Sequence, residues 1–306
     1  MNRAMNTVKP RLSGVAVTAA AGGLLLGLGA CMSDSDESGS FTLGVTDAPV
    51  DDAESVVVQF TGVEVHSEDG DTERFEFDEA RQIDLLSLQG DSSENLLEDE
   101  ELDAGDYEWI RLNVDAERGT LDSYIQLENG EEHSLFIPSG AETGLKLVSG
   151  FTMAAGGTAD FTIDFDLRKS VFNPAQEVSG QDYKLRPALR LVDNLEVGTL
   201  AGTVTGDWAN DEDCHGAVYV YEEHDAETGS LGSDDEPLAS DSVEMNEDGE
   251  FIFEVGFLVE GDYTAAFTCE ADADEPEEED DIAFLEALNT SVTAGETTEV
   301  TFGEED

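Results

Sequence analysis

Cys214 and Cys269 carry the plainest chemistry in this sequence. In unbroken strands Cys214 shares parity with Val218 and Val220, and Cys269 shares parity with Phe267, so both thiols point inward. A disulfide between them is expected, closing a loop worth about 4 kcal/mol in the chain-entropy model. The alternative is two buried free thiols. His215 stands beside Cys214, but no second Cys or His sits at zinc-ligand spacing.

Carboxylates are the other candidate chemistry. Asp47, Asp51, Asp52 and Glu54 follow the first apolar alternation, where several oxygens could converge on a hard cation such as calcium. The alternative has Asp47 capping a turn ahead of Pro49 while the others face water. Asp211, Asp213, Gly216 and Glu222 fall at positions 1, 3, 6 and 12 of an EF-hand-like loop, yet His215 occupies a liganding position and Val218 to Tyr221 reads as strand. Asp164 and Asp166 alternate with Ile163, Phe165 and Leu167 and read as the solvated face of a strand. No other cofactor is implied.

Catalytic signatures are missing: there is no Gly-x-Ser-x-Gly elbow, His-Glu-x-x-His pair, phosphate loop or dinucleotide fingerprint. Carboxylate-pair catalysis carries no information in a chain with 73 acids. Trp109 and Trp208 are the only tryptophans, so no flat aromatic sugar platform stands out. The run from Asp272 to Asp281 reads as a solvated loop of repelling charges.

Export is written at the N-terminus. Residues 1–30 pair a basic start with an apolar stretch from Val15 to Leu28, the pattern of a cleaved signal. Leu28-Gly29-Ala30-Cys31 resembles a bacterial lipobox, which implies cleavage before an acylated Cys31 and anchoring by several acyl chains. Met32 rather than an acid follows, which by resemblance to enterobacterial sorting favours the outer membrane. Residues 31–40 then form a lipidated, flexible tether.

Charge sets further bounds. The chain of 306 residues holds 73 Asp or Glu against 13 Lys or Arg, a formal net charge of -60. Such a polyanion repels phosphate, and no run of bases marks a nucleic-acid site. Arg3, Lys9 and Arg11 leave with the signal, and beyond Leu191 there is no Lys or Arg at all. The bias resembles that of proteins from high-salt habitats, where carboxylates hold hydrated cations and self-repulsion is screened.

Short period-two runs supply the elements that must position these groups: Phe41-Leu43-Val45, Val56-Val58-Phe60, Ile125-Leu127, Phe161 to Leu167, Val218-Val220 and Phe251 to Phe257. Gly70, Gly130 and Gly249 mark hairpins, and a parity change across Gly62 marks a bulge. Two fragments recur in order. Thr152 to Ile163 matches Ser291 to Phe302 without a gap, and Gly105-Asp106-Tyr107 matches Gly261-Asp262-Tyr263 upstream. The echo is imperfect, because Ile110, Leu112 and Val114 take the opposite parity to Ala265, Phe267 and Cys269.

Several ordered motifs give residues 41–192 a family resemblance: Thr46-Asp47-Ala48-Pro49, Val63-Glu64-Val65-His66, Ile83-Asp84-Leu85-Leu86, Ile137-Pro138-Ser139-Gly140 and Tyr183 to Pro187. They resemble the Domain of Unknown Function 4382 family. Residues 198–306 resemble the transthyretin-like or carboxypeptidase-regulatory-like sandwich through Gly202-Thr203-Val204, Asp248 to Phe251 and Gly261-Asp262-Tyr263. Neither resemblance implies a catalytic residue. The expected architecture is all-β, two tandem antiparallel sandwiches of Ig-like or transthyretin-like type. The expected role is a non-enzymatic binding or adhesion surface, lipid-anchored in the envelope, with an unidentified protein or polysaccharide ligand and no nucleic acid. The alternative is an enzyme or accessory subunit acting on extracellular polysaccharide or peptide.

Overall fold

Alternation of inward apolar and outward polar residues builds nearly every element of the computed structural model. The structure describes residues 38–48, 53–138, 144–172, 182–206, 208, 214–276 and 278–303. Cys31, Asp51, Asp52, Asp211 and Asp213 lie outside them. Thirteen strands form the first sandwich: β1 (Ser38–Ala48), β2 (Ala53–Ser67), β3 (Thr72–Asp84), β4 (Glu94–Asp103), β5 (Gly105–Asp115), β6 (Tyr124–Leu127), β7 (Glu132–Phe136), β8 (Leu145–Leu147), β9 (Phe151–Met153), β10 (Thr158–Asp166), β11 (Val171–Phe172), β12 (Tyr183–Leu185) and β13 (Leu189–Asp193). One sheet runs β13-β10-β1-β4, and the other is built around β2 and β5. Between them lies a core of Phe41, Val58, Phe60, Val65, Ile110, Leu112, Ile163 and Phe165.

The second sandwich takes β14 (Val197–Val204), β15 (Ala217–Glu222), β16 (Ala239–Ser242), β17 (Glu244–Met245), β18 (Phe251–Val259), β19 (Gly261–Thr268), β20 (Phe284–Val292) and β21 (Thr297–Phe302). Its sheets are β17-β18-β14-β21 and β16-β15-β19-β20, closed over Leu200, Val218, Val220, Phe253, Phe267 and Phe302. Both sandwiches depart from a purely antiparallel plan. In each the first strand lies parallel to the strand after the Ala-Gly turn, β1 on β10 and β14 on β21. The intervening strands carry the chain back so that these two run side by side in the same direction, which a hairpin cannot do.

The sequence echo is structural. Ser38 and Val197 carbonyls each accept from a turn glycine, Gly156 and Gly295, at 2.8 Å. Gly39 and Gly198 occupy equivalent positions where a Cβ would strike the turn, against Gly157 O at 2.8 Å in one and Glu296 O at 2.8 Å in the other. Tyr107 and Tyr263 each donate to the carbonyl four residues back, Asp103 at 2.8 Å and Val259 at 2.6 Å. Asp106 accepts from Thr152 and Asp262 from Ser291, both at 2.6 Å. The parity mismatch has a local cause. His66 pairs with Trp109 and Ser67 with Tyr107, leaving Glu108 as an extra residue in β5, whereas β15 pairs with β19 without interruption. One bulged residue flips everything after it.

Candidate functional site

The second sandwich contains no Lys or Arg, and the first supplies cations to it across the seam between them. After β10 the chain turns through a single helical turn, α1 (Leu167–Ser170), capped by the Asp166 carboxylate on the Lys169 amide at 3.1 Å. Leu167 enters the core, which shortens the strand expected to run through it. The turn aims Arg168 and Lys169 at the second sandwich. Arg168, 4% exposed, donates to Tyr219 Oη and Ser242 Oγ, each at 3.2 Å. Lys169 Nζ reaches Glu236 at 2.8 Å and the Pro237 carbonyl at 2.7 Å. Arg186 donates to the Pro276 carbonyl at 3.2 Å.

Backbone also meets backbone at this seam. The Asp91 amide donates to Glu254 at 3.1 Å, and a Cβ on Gly256 would fall 2.0 Å from the Gly90 carbonyl. Only glycine permits that approach. Residues 36–306 accordingly form one compact unit.

A cleft of about 430 Å³ opens along the seam, lined by Asp164, Asp166, Lys169, Arg190, Glu222 and Glu236 over a floor that includes Leu189 and Leu238. Asp164 and Asp166 are therefore not the solvated face of a strand. Their side chains are 13% and 15% exposed, Asp164 ion-paired to Arg190 and Asp166 beside Lys169 at 3.7 Å. Burial pushes the Asp166 carboxyl upward against the pull of Lys169. Deeper in the seam, Asp241 accepts from the Glu254 amide at 2.6 Å, and desolvation raises it to about 7. The run from Asp272 to Asp281 is also not uniformly solvated: Asp274 is buried, accepting from Tyr219 at 2.7 Å and from the Leu231 amide at 3.1 Å. Its carboxyl is pushed up by burial as well.

Cys214 and Cys269 are joined, with Cα atoms 4.5 Å apart, and pack against the second core. Of the expected calcium ligands only Asp47 and Glu54 lie among the described residues. Asp47, the penultimate residue of β1, is buried at the seam near Gly90 and Glu254, whereas Glu54 lies in the opposite sheet and accepts from Gln126 at 2.8 Å. No three His, Cys, Asp or Glu among the described residues are placed to hold a metal ion. Arg168, Lys169 and Arg190 were not singled out by sequence, and their one visible signal is position: with Lys184 and Arg186 they are the last five bases before a stretch that has none.

Fold and seam together define a tandem β-sandwich protein in which basic side chains of the first half hydrogen-bond and ion-pair with groups of the second. Residues 38–187, most of the first sandwich, match the family model described as Domain of unknown function (DUF4382). No curated protein sequence matches the chain. Solved structures that align with it include the Bacillus anthracis TIE protein, at 12% identity over 86% of this chain and 33% of that one, with a TM-score of 0.20. GBS52, the minor pilin of Streptococcus agalactiae, aligns at 11% over 86% and 94%, TM-score 0.20. BcpA, the major pilin subunit of Bacillus cereus, aligns at 11% over 87% and 99%, TM-score 0.20. The chain thus spans about a third of the TIE protein.

Proposed function

We propose that this protein is a non-enzymatic binding or adhesion module of the cell envelope, acylated at Cys31 and tethered to the outer membrane. The observation that carries the reading is the seam. Arg168 buried among second-sandwich side chains and the Gly90–Gly256 contact make the two sandwiches one stiff body, as a surface presented at the end of a tether requires. Cells displaying the full chain should fractionate it with the outer membrane and adhere to a surface of unmodified cells. Cys31→Ala should release the protein and abolish adhesion. Equal adhesion with and without the chain overturns the reading.

One observation favours hydrolysis of an extracellular polymer instead. In the cleft a carboxyl with raised affinity for its proton, Asp166, neighbours a second carboxyl, Asp164, that is ion-paired to Arg190, so two carboxyls in different surroundings face one cavity. Lys169 and Arg190 already engage both groups. Hydrolysis of a polysaccharide lost in Asp166→Asn would establish that alternative.

A further inference from the structure

The outward face of the first sandwich's second sheet gathers positive charge in a chain that has little. Ladder pairing sets Arg74 opposite Glu64, Glu64 opposite Arg111 and Arg111 opposite Lys146, one row across β3, β2, β5 and β8. Directly paired residues share a face, and four strands about 4.8 Å apart make the row about 14 Å long. Glu64 bonds Arg74 at 3.0 Å and Arg111 at 3.2 Å, leaving the row with three cations and one anion. In the adjoining row His66 lies opposite Trp109, their rings stacked with centroids 4.7 Å apart. The Arg111 guanidinium carbon and the Lys146 ammonium sit 4.9 Å and 4.4 Å from the same indole ring. The indole therefore holds two cations in place.

The second sandwich shows what this face would be if it were only structural. Aligning Tyr107 with Tyr263 puts Tyr219 at the place of Glu64, Tyr221 at that of His66 and Ala266 at that of Arg111. There the three are buried beneath the chain's own Leu231, Ala226 and Ala271. In the first sandwich Lys146 is exposed and Arg74 is 58% exposed.

We infer that this face binds a linear acidic polysaccharide, one carrying a carboxylate on each sugar. A thin chain can lie along a 14 Å row without confronting the acids that surround it, whereas a folded acidic protein brings its whole charged surface against them. Nucleic acid fits less well, because its bases need a free aromatic face and that of Trp109 is taken by His66 and the cations. The inference rests on the reading of the protein as a binding surface and gives it a ligand class.

Affinity electrophoresis of the full mature chain tests this, with polygalacturonate as probe, amylose as the neutral control and single-stranded DNA as the polyanion control. Polygalacturonate should retard the protein and the other two should not. Arg74→Glu and Lys146→Glu should each weaken retardation at least tenfold with the melting temperature unchanged. Glu64→Gln should strengthen it about threefold, since it removes the one anion in the row; a purely structural Glu64 would instead lower stability and leave binding unmoved. No retardation, equal retardation by DNA, or indifference to the charge reversals overturns the inference. Adhesion of cells that persists in Lys146→Glu overturns it while leaving the envelope role in place.

Discussion

Arg168 shows how much one side chain can hold. Its partners Tyr219 and Ser242 belong to the other sandwich, 51 and 74 positions along the chain. Arg168→Leu removes a buried cation from beside several carboxyls and should cost about 3 kcal/mol, read as a lower urea midpoint for the whole chain. Asp241 gives the seam a pH dependence. Its folded pKa is raised to about 7 by desolvation, with Arg168 and the backbone amides opposing and Glu244 adding to the rise. The folded state therefore binds more protons than the unfolded state between about pH 4 and 7. Stability should be greatest below that window, fall as pH rises through it and level off above. Asp241→Asn should flatten this fall by a few kcal/mol, on the order expected for a shift of that size, in paired urea titrations at pH 5 and 8. Cys214 and Cys269 were legible in the sequence because they are the two cysteines left beyond Cys31 and each flanks an apolar run that enters a core, although both lie just outside β15 and β19. Arg168 was not, because nothing local reveals which surface a basic residue will meet.

At the scale of elements, the hairpins at Gly70, Gly130 and Gly249 and the bulge at Gly62 could be read directly, since each needs a particular backbone conformation or a change of parity. The β4 strand could not: Glu94 to Asp103 holds six acids among ten residues, and its place is set by pairing with β1. The acids on this edge strand also discourage pairing with another chain. The parallel partners β10 and β21 were hidden for a related reason, because alternation reports which face is buried and says nothing of strand direction. Comparing the two sandwiches yields a test. Deleting Glu108 gives β5 the uninterrupted register of β19 and should change stability by less than about 1 kcal/mol in thermal unfolding. Deleting Thr264 from β19 inverts Ala265 and Phe267 and should prevent folding. Gly198→Ala drives a methyl toward the Thr293 carbonyl, 2.3 Å away, and should destabilise by about 2 kcal/mol or more.

For the whole molecule, charge is the dominant variable. At 0.01 M salt the Debye length is about 30 Å, so the carboxylates of the second sandwich act on one another across its width; at 1 M it is about 3 Å and they do not. Melting temperature should therefore climb steeply with KCl. Hydrogen exchange on the intact chain at low salt should show residues 197–303 losing protection before residues 38–193, because the former depend on cations supplied across the seam. A melting temperature flat from low to molar salt would show that repulsion contributes little to folding. Specific calcium binding would instead saturate at low divalent concentration. The parallel pairing of first and last strands has a mechanical consequence. In the second sandwich β14 and β21 run side by side through six registered pairs, from Thr199 with Thr297 to Val204 with Phe302. Tension drawn from the entry of β14 to the exit of β21 slides these strands lengthwise, so the ladder is loaded in shear and its hydrogen bonds must fail together rather than unzip in turn. A body held at its N-terminal side and pulled from the other end, as in flowing water, would yield abruptly and at high force, where a hairpin of the same length would peel.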